Sequence, residues 1–466
     1  MKNIFKNLTF SKISLWFLFA IMLWTFVSLK RWGQAETRQK IIMWDVTSYY
    51  CYLPATFIHH DVSLEFTRRG NDHSYEENHQ YWYQTAPNGS RVIKFTMGMA
   101  VMYSPFFFIA HATAHLLDFK ADGFSTPYEF FIALSSLVYL FIGLLYLRKT
   151  MLLYFTETIT GITLICVLLG TNLYYYTTTE PAMSHAYSFA VVAIFVYHCI
   201  KWHLFPTFKK SIYIGLLFGL IVLIRPVNII LIVFPVLFSI HSKETLLLKI
   251  NLLKNNFKYI VIAAIAAFLV FVPQLVYWKQ LTGEWFFYSY LEEHFYFNHP
   301  HVLLGMFSFR NGWLIYSPIM VFALIGIYFL FKSKSNFSFS VLVFVLFQVY
   351  VCYSWWTWWY GGSFGSRPMI DFYAVFALPM ASFLKTVFSK SKALLISTLT
   401  FFVLLIYLSV FQTYQRRTGV IHWDSMTAGA YQKVFLKSEL SHDDILELEQ
   451  QLYHPDYDKA KAGEEE

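Results

Sequence analysis

The chain has 466 residues, of which 57% are hydrophobic and 14% charged, with 49 Phe, 33 Tyr and 14 Trp. A soluble domain carries about a quarter charged residues, so this composition cannot cover a water-facing surface of that size. A thinly spread net charge of +8 and four cysteines fit neither a nucleic-acid binder nor a disulfide scaffold, and the aromatic content excludes a disordered chain.

A bilayer core roughly 30 Å thick takes about 20 apolar residues per helical crossing. The first apolar run, residues 13–29, follows Lys2, Lys6 and Lys12 and precedes Lys30 and Arg31 with no small-residue cleavage site, which predicts a retained signal anchor. Runs of spanning length follow at 128–147, 159–176, 184–200, 259–277, 313–331, 339–354, 372–388 and 393–411. The run 212–240 is interrupted by Arg225-Pro226. A mid-bilayer arginine is costly and proline ends or kinks a helix, so this run is expected to form two short spans meeting near one membrane surface. Residues 95–117 carry Gly98, Ser104, Pro105, His111 and His115 and are expected to lie in the interface or re-enter from the outer side. Arg148-Lys149, the lysines of 201–210 and 243–258, Lys332, Lys334, Lys385, Lys390 and Lys392 then share the cytoplasmic side with the N-terminus, while most acids fall outside.

The resulting expectation is an all-α polytopic membrane protein with about eleven transmembrane helices. It divides into an anchor and first span (1–29), a first outer loop with juxtamembrane and re-entrant helices (30–127), a bundle (128–412) and an outer C-terminal tail (413–466). Within that tail Ser441, Asp443 and Asp444 precede Ile445, Leu446, Leu448 and Leu452, the pattern of an N-capped amphipathic helix.

Asp45 is the lone carboxylate in Ile41-Ile-Met-Trp-Asp-Val-Thr-Ser-Tyr-Tyr-Cys-Tyr-Leu-Pro54. On a helix it shares a face with Tyr49 and Tyr52, and partial burial would suit it to take a proton from a hydroxyl; a helix-capping role is the alternative. Glu180-Pro181, with His185 downstream, opens the fourth span and reads either as an acid beside an imidazole or as a capped helix start. Arg225 needs a partner, for which an anionic lipid head group, Glu180 or Asp45 would serve, unless it snorkels. Arg367 follows the glycine-rich loop Gly361-Gly-Ser-Phe-Gly-Ser366, whose amides could approach a phosphate, and Arg310 is a third outer arginine. The Trp355 to Trp359 cluster reads as an interfacial belt or as a sugar-stacking platform. His59, His60, His73, His79, His294, His299 and His301 lack the tight spacing of a zinc site, although paired carboxylates could recruit Mg²⁺, Mn²⁺ or Ca²⁺.

The anchor, the Asp soon after it, the acid opening the fourth span, the segment from Gly215 to Arg225-Pro226 and Gly361-Gly-Ser-Phe-Gly-Ser-Arg367 together resemble the C-type (GT-C) integral-membrane glycosyltransferases, over roughly residues 10–412. In plan the chain is similar to protein O-mannosyltransferases and lipid A aminoarabinose transferases. This resemblance implies transfer of a sugar, hexose or pentose, from a polyprenyl phosphate to an extracytoplasmic lipid, glycan or protein, with inversion, at a bacterial inner membrane. Asp45 then matches the general base and Glu180 the second outer acid. Arg225, Arg367, Arg310 and His185 are placed at the donor phosphate, and Tyr49, Tyr50, Trp358 and Trp359 at sugar or acceptor. The first loop has one Asp where the protein mannosyltransferases have an acidic pair, and Met102-Tyr-Ser-Pro105 stands where relatives have Pro-Pro-Leu. The competing readings are a surface-polysaccharide polymerase or ligase and a transporter or flippase; the latter would require related hydropathy in the two halves, which the sequence lacks.

Overall fold

A computed structural model of the protein describes residues 8–33, 40–69, 81 and 83–464. His73 and His79 lie outside the described residues, as do Asp72, Glu76 and Glu77. Among the described residues six helices are long and apolar enough to cross a membrane by length and composition: Phe10–Leu29, Thr126–Met151, Ser184–Leu204, Phe257–Thr282, Arg367–Phe388 and Lys392–Arg417. Four shorter apolar helices accompany them, Glu157–Leu169, Pro226–Leu237, Pro318–Lys332 and Ser338–Cys352.

Two of the apolar runs are broken at a proline, one of them as expected. The run 313–331 divides at Ser317-Pro318 into Trp313–Tyr316, a three-ten turn Pro318–Met320 and Val321–Lys332, because proline supplies no N–H to the preceding turn. The run 212–240 divides at Arg225 as expected: helix Phe208–Ile224 ends there with the backbone extended, and Pro226–Ile232 continues as three-ten helix. The glycines of the 215–226 segment serve packing. A Cβ on Gly215 would lie 2.2 Å from the Ala263 carbonyl oxygen and one on Gly219 would lie 2.5 Å from that of Ala267, so this pair of small residues, four apart, lets Phe208–Ile224 press against Phe257–Thr282.

The basic loops gather at one end of the bundle. Arg148 Nη2 lies 3.2 Å from Glu157 Oε1, and Arg148 Nε donates to Ser11 Oγ at 2.5 Å. The Tyr154 ring meets Phe337 with centroids 4.7 Å apart, and Ser239 N donates to Asn336 O. Lys249, on the amphipathic helix Lys243–Asn255, is buried and donates to Pro235 O at 2.7 Å and His203 Nε2 at 2.5 Å.

The acid-bearing segments collect at the other end. Helix Gly98–Leu116 has both termini there: Thr96 Oγ1, just before it, bonds to Leu223 O, and His111 Nδ1 lies 2.5 Å from the hydroxyl of Tyr128, in the first turn of Thr126–Met151. Beside it is an element no periodicity announced, an antiparallel hairpin of Tyr83–Thr85 and Arg91–Ile93. Its turn signal was present as Pro87-Asn88-Gly89, with Gly89 at φ +82°.

Candidate active site

Three short, irregular segments build the site. Asp45 opens the six-residue helix Asp45–Tyr50 directly after Trp44, a non-glycine residue at φ +51°. Its Oδ2 lies 3.0 Å from Arg367 Nη1. Tyr49 follows one turn later, and its hydroxyl is pushed up to about 12 by burial first and by the Asp45 charge second, with Arg225 and Arg367 opposing. The same phenol therefore senses all three charged groups. Tyr52 leaves this face because the helix breaks at Cys51: its hydroxyl bonds to Phe95 O and its ring packs on Tyr277.

Arg367 is aimed by the loop before it. Tyr360, Gly361 and Gly365 all have positive φ, and Gly365 passes so close to Tyr316 and Asn172 that a Cβ would meet them at 3.0 and 3.2 Å. Asn172 Nδ2 bonds to Phe364 O at 2.9 Å and Phe364 N to Tyr176 Oη at 3.0 Å, which pins the loop to helix Leu173–Thr178.

Arg225 is held differently. Asp371, wholly buried four residues past Arg367, accepts from His185 Nδ1 at 2.8 Å and Asn228 Nδ2 at 3.0 Å, while Arg225 Nη1 stands at 3.5 Å. Arg225 Nη1 is also 3.2 Å from His185 Nδ1. Because the Nδ1 proton is committed to Asp371, that nitrogen cannot also accept, so the contact is a close approach rather than a second bond. The expected partners of Arg225, Glu180 and Asp45, are replaced by Asp371.

Glu180 Oε1 accepts from the Tyr175 hydroxyl at 2.9 Å, and His185 joins Asp371 rather than Glu180. Arg416, in the last turn of Lys392–Arg417, donates from Nε to Ser363 O at 3.3 Å and stands 5.9 Å from the Tyr175 ring. Ser363 Oγ in turn lies 3.0 Å from Tyr176 Oη. Three groupings result, Arg225 with Asp371, Asp45 with Arg367, and Glu180 with Tyr175 beside Arg416. Asp371, Asn228 and Arg416 were missed in the sequence, although a lone acid at the start of an apolar run is itself a marker.

Four other candidates belong elsewhere. Tyr50 is fully buried, donates to Gly123 O at 2.6 Å and packs on Tyr103, Phe107 and Phe124, so it cannot meet a substrate. Trp358 and Trp359 are buried in a small cluster with Ala460, against Trp356 and Tyr457, so the tail covers the faces a sugar would need. Arg310 is corrected from phosphate ligand to tail anchor: it donates to Tyr453 O at 2.8 Å, and its guanidinium lies 5.1 Å from both the Trp359 and Tyr453 ring centroids. Ser441 caps helix His442–Glu449 in a reciprocal box with Asp444, so the tail is an ordered cap. Arg310→Ala is expected to weaken tail docking by about 1–3 kcal/mol, seen as faster tryptic cleavage at Lys459 and Lys461.

No family model matches the chain, and no curated protein matches it. Among solved structures it is similar to the archaeal oligosaccharyltransferase AglB from Archaeoglobus fulgidus, determined in complex with an inhibitory peptide and a dolichol-phosphate. The identity is 14% and the TM-score 0.45, over 95% of this chain and 60% of that one. The chain thus spans three-fifths of that protein's length.

The donor set does not suit a divalent cation. Asp45 faces a guanidinium and Asp371 is surrounded by two N–H donors and another guanidinium, an arrangement that repels a metal ion. Among the described residues no three His, Cys, Asp or Glu side chains are grouped to hold one. His59 stacks on Phe66 and His294 on Tyr288.

Proposed function

We propose that this chain is an integral-membrane glycosyltransferase of the GT-C kind, which moves a sugar from a polyprenyl phosphate to a hydroxyl or similar group of an extracytoplasmic acceptor. The reading rests on one observation: a partly exposed carboxylate, Asp45, sits against the Arg367 guanidinium, and Asp371, four residues past Arg367, faces the Arg225 guanidinium, at the end of the bundle opposite the lysine-rich loops. The positive-inside bias then puts the site on the outer side and the N-terminus in the cytoplasm. The six long helices and the shorter apolar ones would cross together, the broken helices lining the site where irregular backbone is shielded from lipid.

In the reaction the acceptor hydroxyl oxygen attacks the anomeric carbon from the face opposite the phosphate, giving inversion. The bond from that carbon to the phosphate oxygen breaks and its electron pair stays on the leaving phosphate. The hydroxyl proton passes to Asp45. Polyprenyl phosphate is a good leaving group, so Arg225 and Arg367 stabilise its oxygens where a glycosidase would need a second carboxylic acid. Glu180, held by Tyr175, orients the acceptor. The isoprenoid remains in lipid while the sugar meets water-facing substrate.

Purified protein in liposomes, supplied with a panel of labelled polyprenyl-phosphate hexoses and pentoses and a cell-envelope extract as acceptor, tests this reading. Label should leave the polyprenyl phosphate for one of the sugars and appear on an acceptor, and lack of transfer from every donor would refute the proposal. Because Asp45 and Asp371 are already partnered by cationic and N–H groups and Glu180 by the Tyr175 phenol, transfer is expected to persist in excess EDTA; loss on chelation and recovery with Mg²⁺, Mn²⁺ or Ca²⁺ would restore the divalent-ion expectation.

A further inference from the structure

The two arginines of the site are held in opposite ways. Asp371 is wholly buried and takes its two shorter bonds from His185 and Asn228, leaving Arg225 at 3.5 Å with N–H groups to spare. Arg367 is instead drawn onto Asp45 at 3.0 Å, and the side chains of this pair are 19% and 22% exposed, so an entering ligand can reach both.

Resting on the donor reading above, we infer that Arg225 is the standing phosphate ligand and Arg367 a second phosphate ligand, passed from Asp45 to the donor phosphate when the donor binds. Before donor binds, Arg367 occupies the carboxylate that must serve as base. A phosphate arriving at Arg225 supplies a competing anion, draws Arg367 away and leaves Asp45 facing the acceptor. Arg367 lies in the fields of Asp45, Tyr176, Tyr49 and Glu180, which give it anionic and phenolic surroundings along that short path. The loop immediately before it is pinned by Asn172 and Tyr176, so only the Arg367 side chain has to move. The consequence is ordered binding, donor before acceptor, with the base unavailable until a phosphate is in place.

The test is equilibrium binding of polyprenyl phosphate, without sugar, to the full chain in detergent micelles, read by tryptophan fluorescence. Removing the competing carboxylate in Asp45→Asn should tighten binding about fivefold, the fold-change of one partly exposed ion pair, while Asp45→Glu, which keeps the charge, should bind like the parent. Asp45→Ser gives the same tightening should the Asn variant not fold, and Arg225→Ala should abolish binding. Parent protein that binds the lipid with Asp45→Asn and Asp45→Ser equal or weaker overturns the exchange of Arg367 and leaves the donor reading intact. Parent protein that does not bind the lipid overturns both.

Discussion

Asp45→Asn should lower sugar transfer by about 10²- to 10⁴-fold in liposomes while the protein still inserts and elutes as the parent does. That range is what a positioned general base contributes to proton transfer, and the amide cannot accept the hydroxyl proton. The substitution keeps the shape of a side chain that is partly exposed and opens a six-residue helix, so little packing is lost. The loss should fall on kcat, because the base acts only as the proton departs, while donor affinity should rise by the roughly fivefold that release of Arg367 supplies. Undiminished transfer would remove Asp45 from the chemistry and leave it as a helix-start carboxylate.

The second large effect is expected at a residue that touches no substrate. Asp371→Ala deletes the acceptor shared by His185, Asn228 and Arg225, and leaves three polar groups facing an oxygen that has gone. Breaking a buried pair in this way costs about 3–5 kcal/mol, because the guanidinium stays desolvated without its counter-charge. Thermal unfolding should shift down, and in whatever protein remains folded the donor KM should rise, since Arg225 loses its aim. Asp371→Asn, which preserves volume and one acceptor oxygen, should fold better than Asp371→Ala and still show the raised KM. Full stability of Asp371→Ala would mean that the carboxylate does not anchor Arg225.

Much of this arrangement was legible beforehand. Arg225-Pro226 announced its break because a charged residue and a missing N–H coincide within an apolar run, and the lysine-bearing loops were grouped by charge alone before contacts at Arg148, His203 and Lys249 joined several of them. Asp45 and Arg367 stood out through a lone acid and a glycine-rich approach. What stayed hidden depends on distances across the sequence. Asp371 lies 143 residues from Asn228 and 186 from His185, and no local pattern pairs them. Arg310 and Trp358 looked like outer ligand residues because sequence cannot tell an aromatic surface facing water from one covered by a returning tail, and it is Tyr453, Tyr457 and Ala460 that cover this one. The hairpin escaped because three-residue strands carry too little alternation to register against their aromatic surroundings.

The central claim is that a lipid-linked phosphate docks between Arg225 and Arg367, facing Asp45. An experimental structure of the protein in nanodiscs with bound polyprenyl phosphate tests it most directly. The account predicts phosphate density within hydrogen-bonding distance of Arg225, with Arg367 turned from Asp45 toward the same oxygens. Lipid phosphate lodged at another face, with the Asp45–Arg367 pair undisturbed, would contradict it.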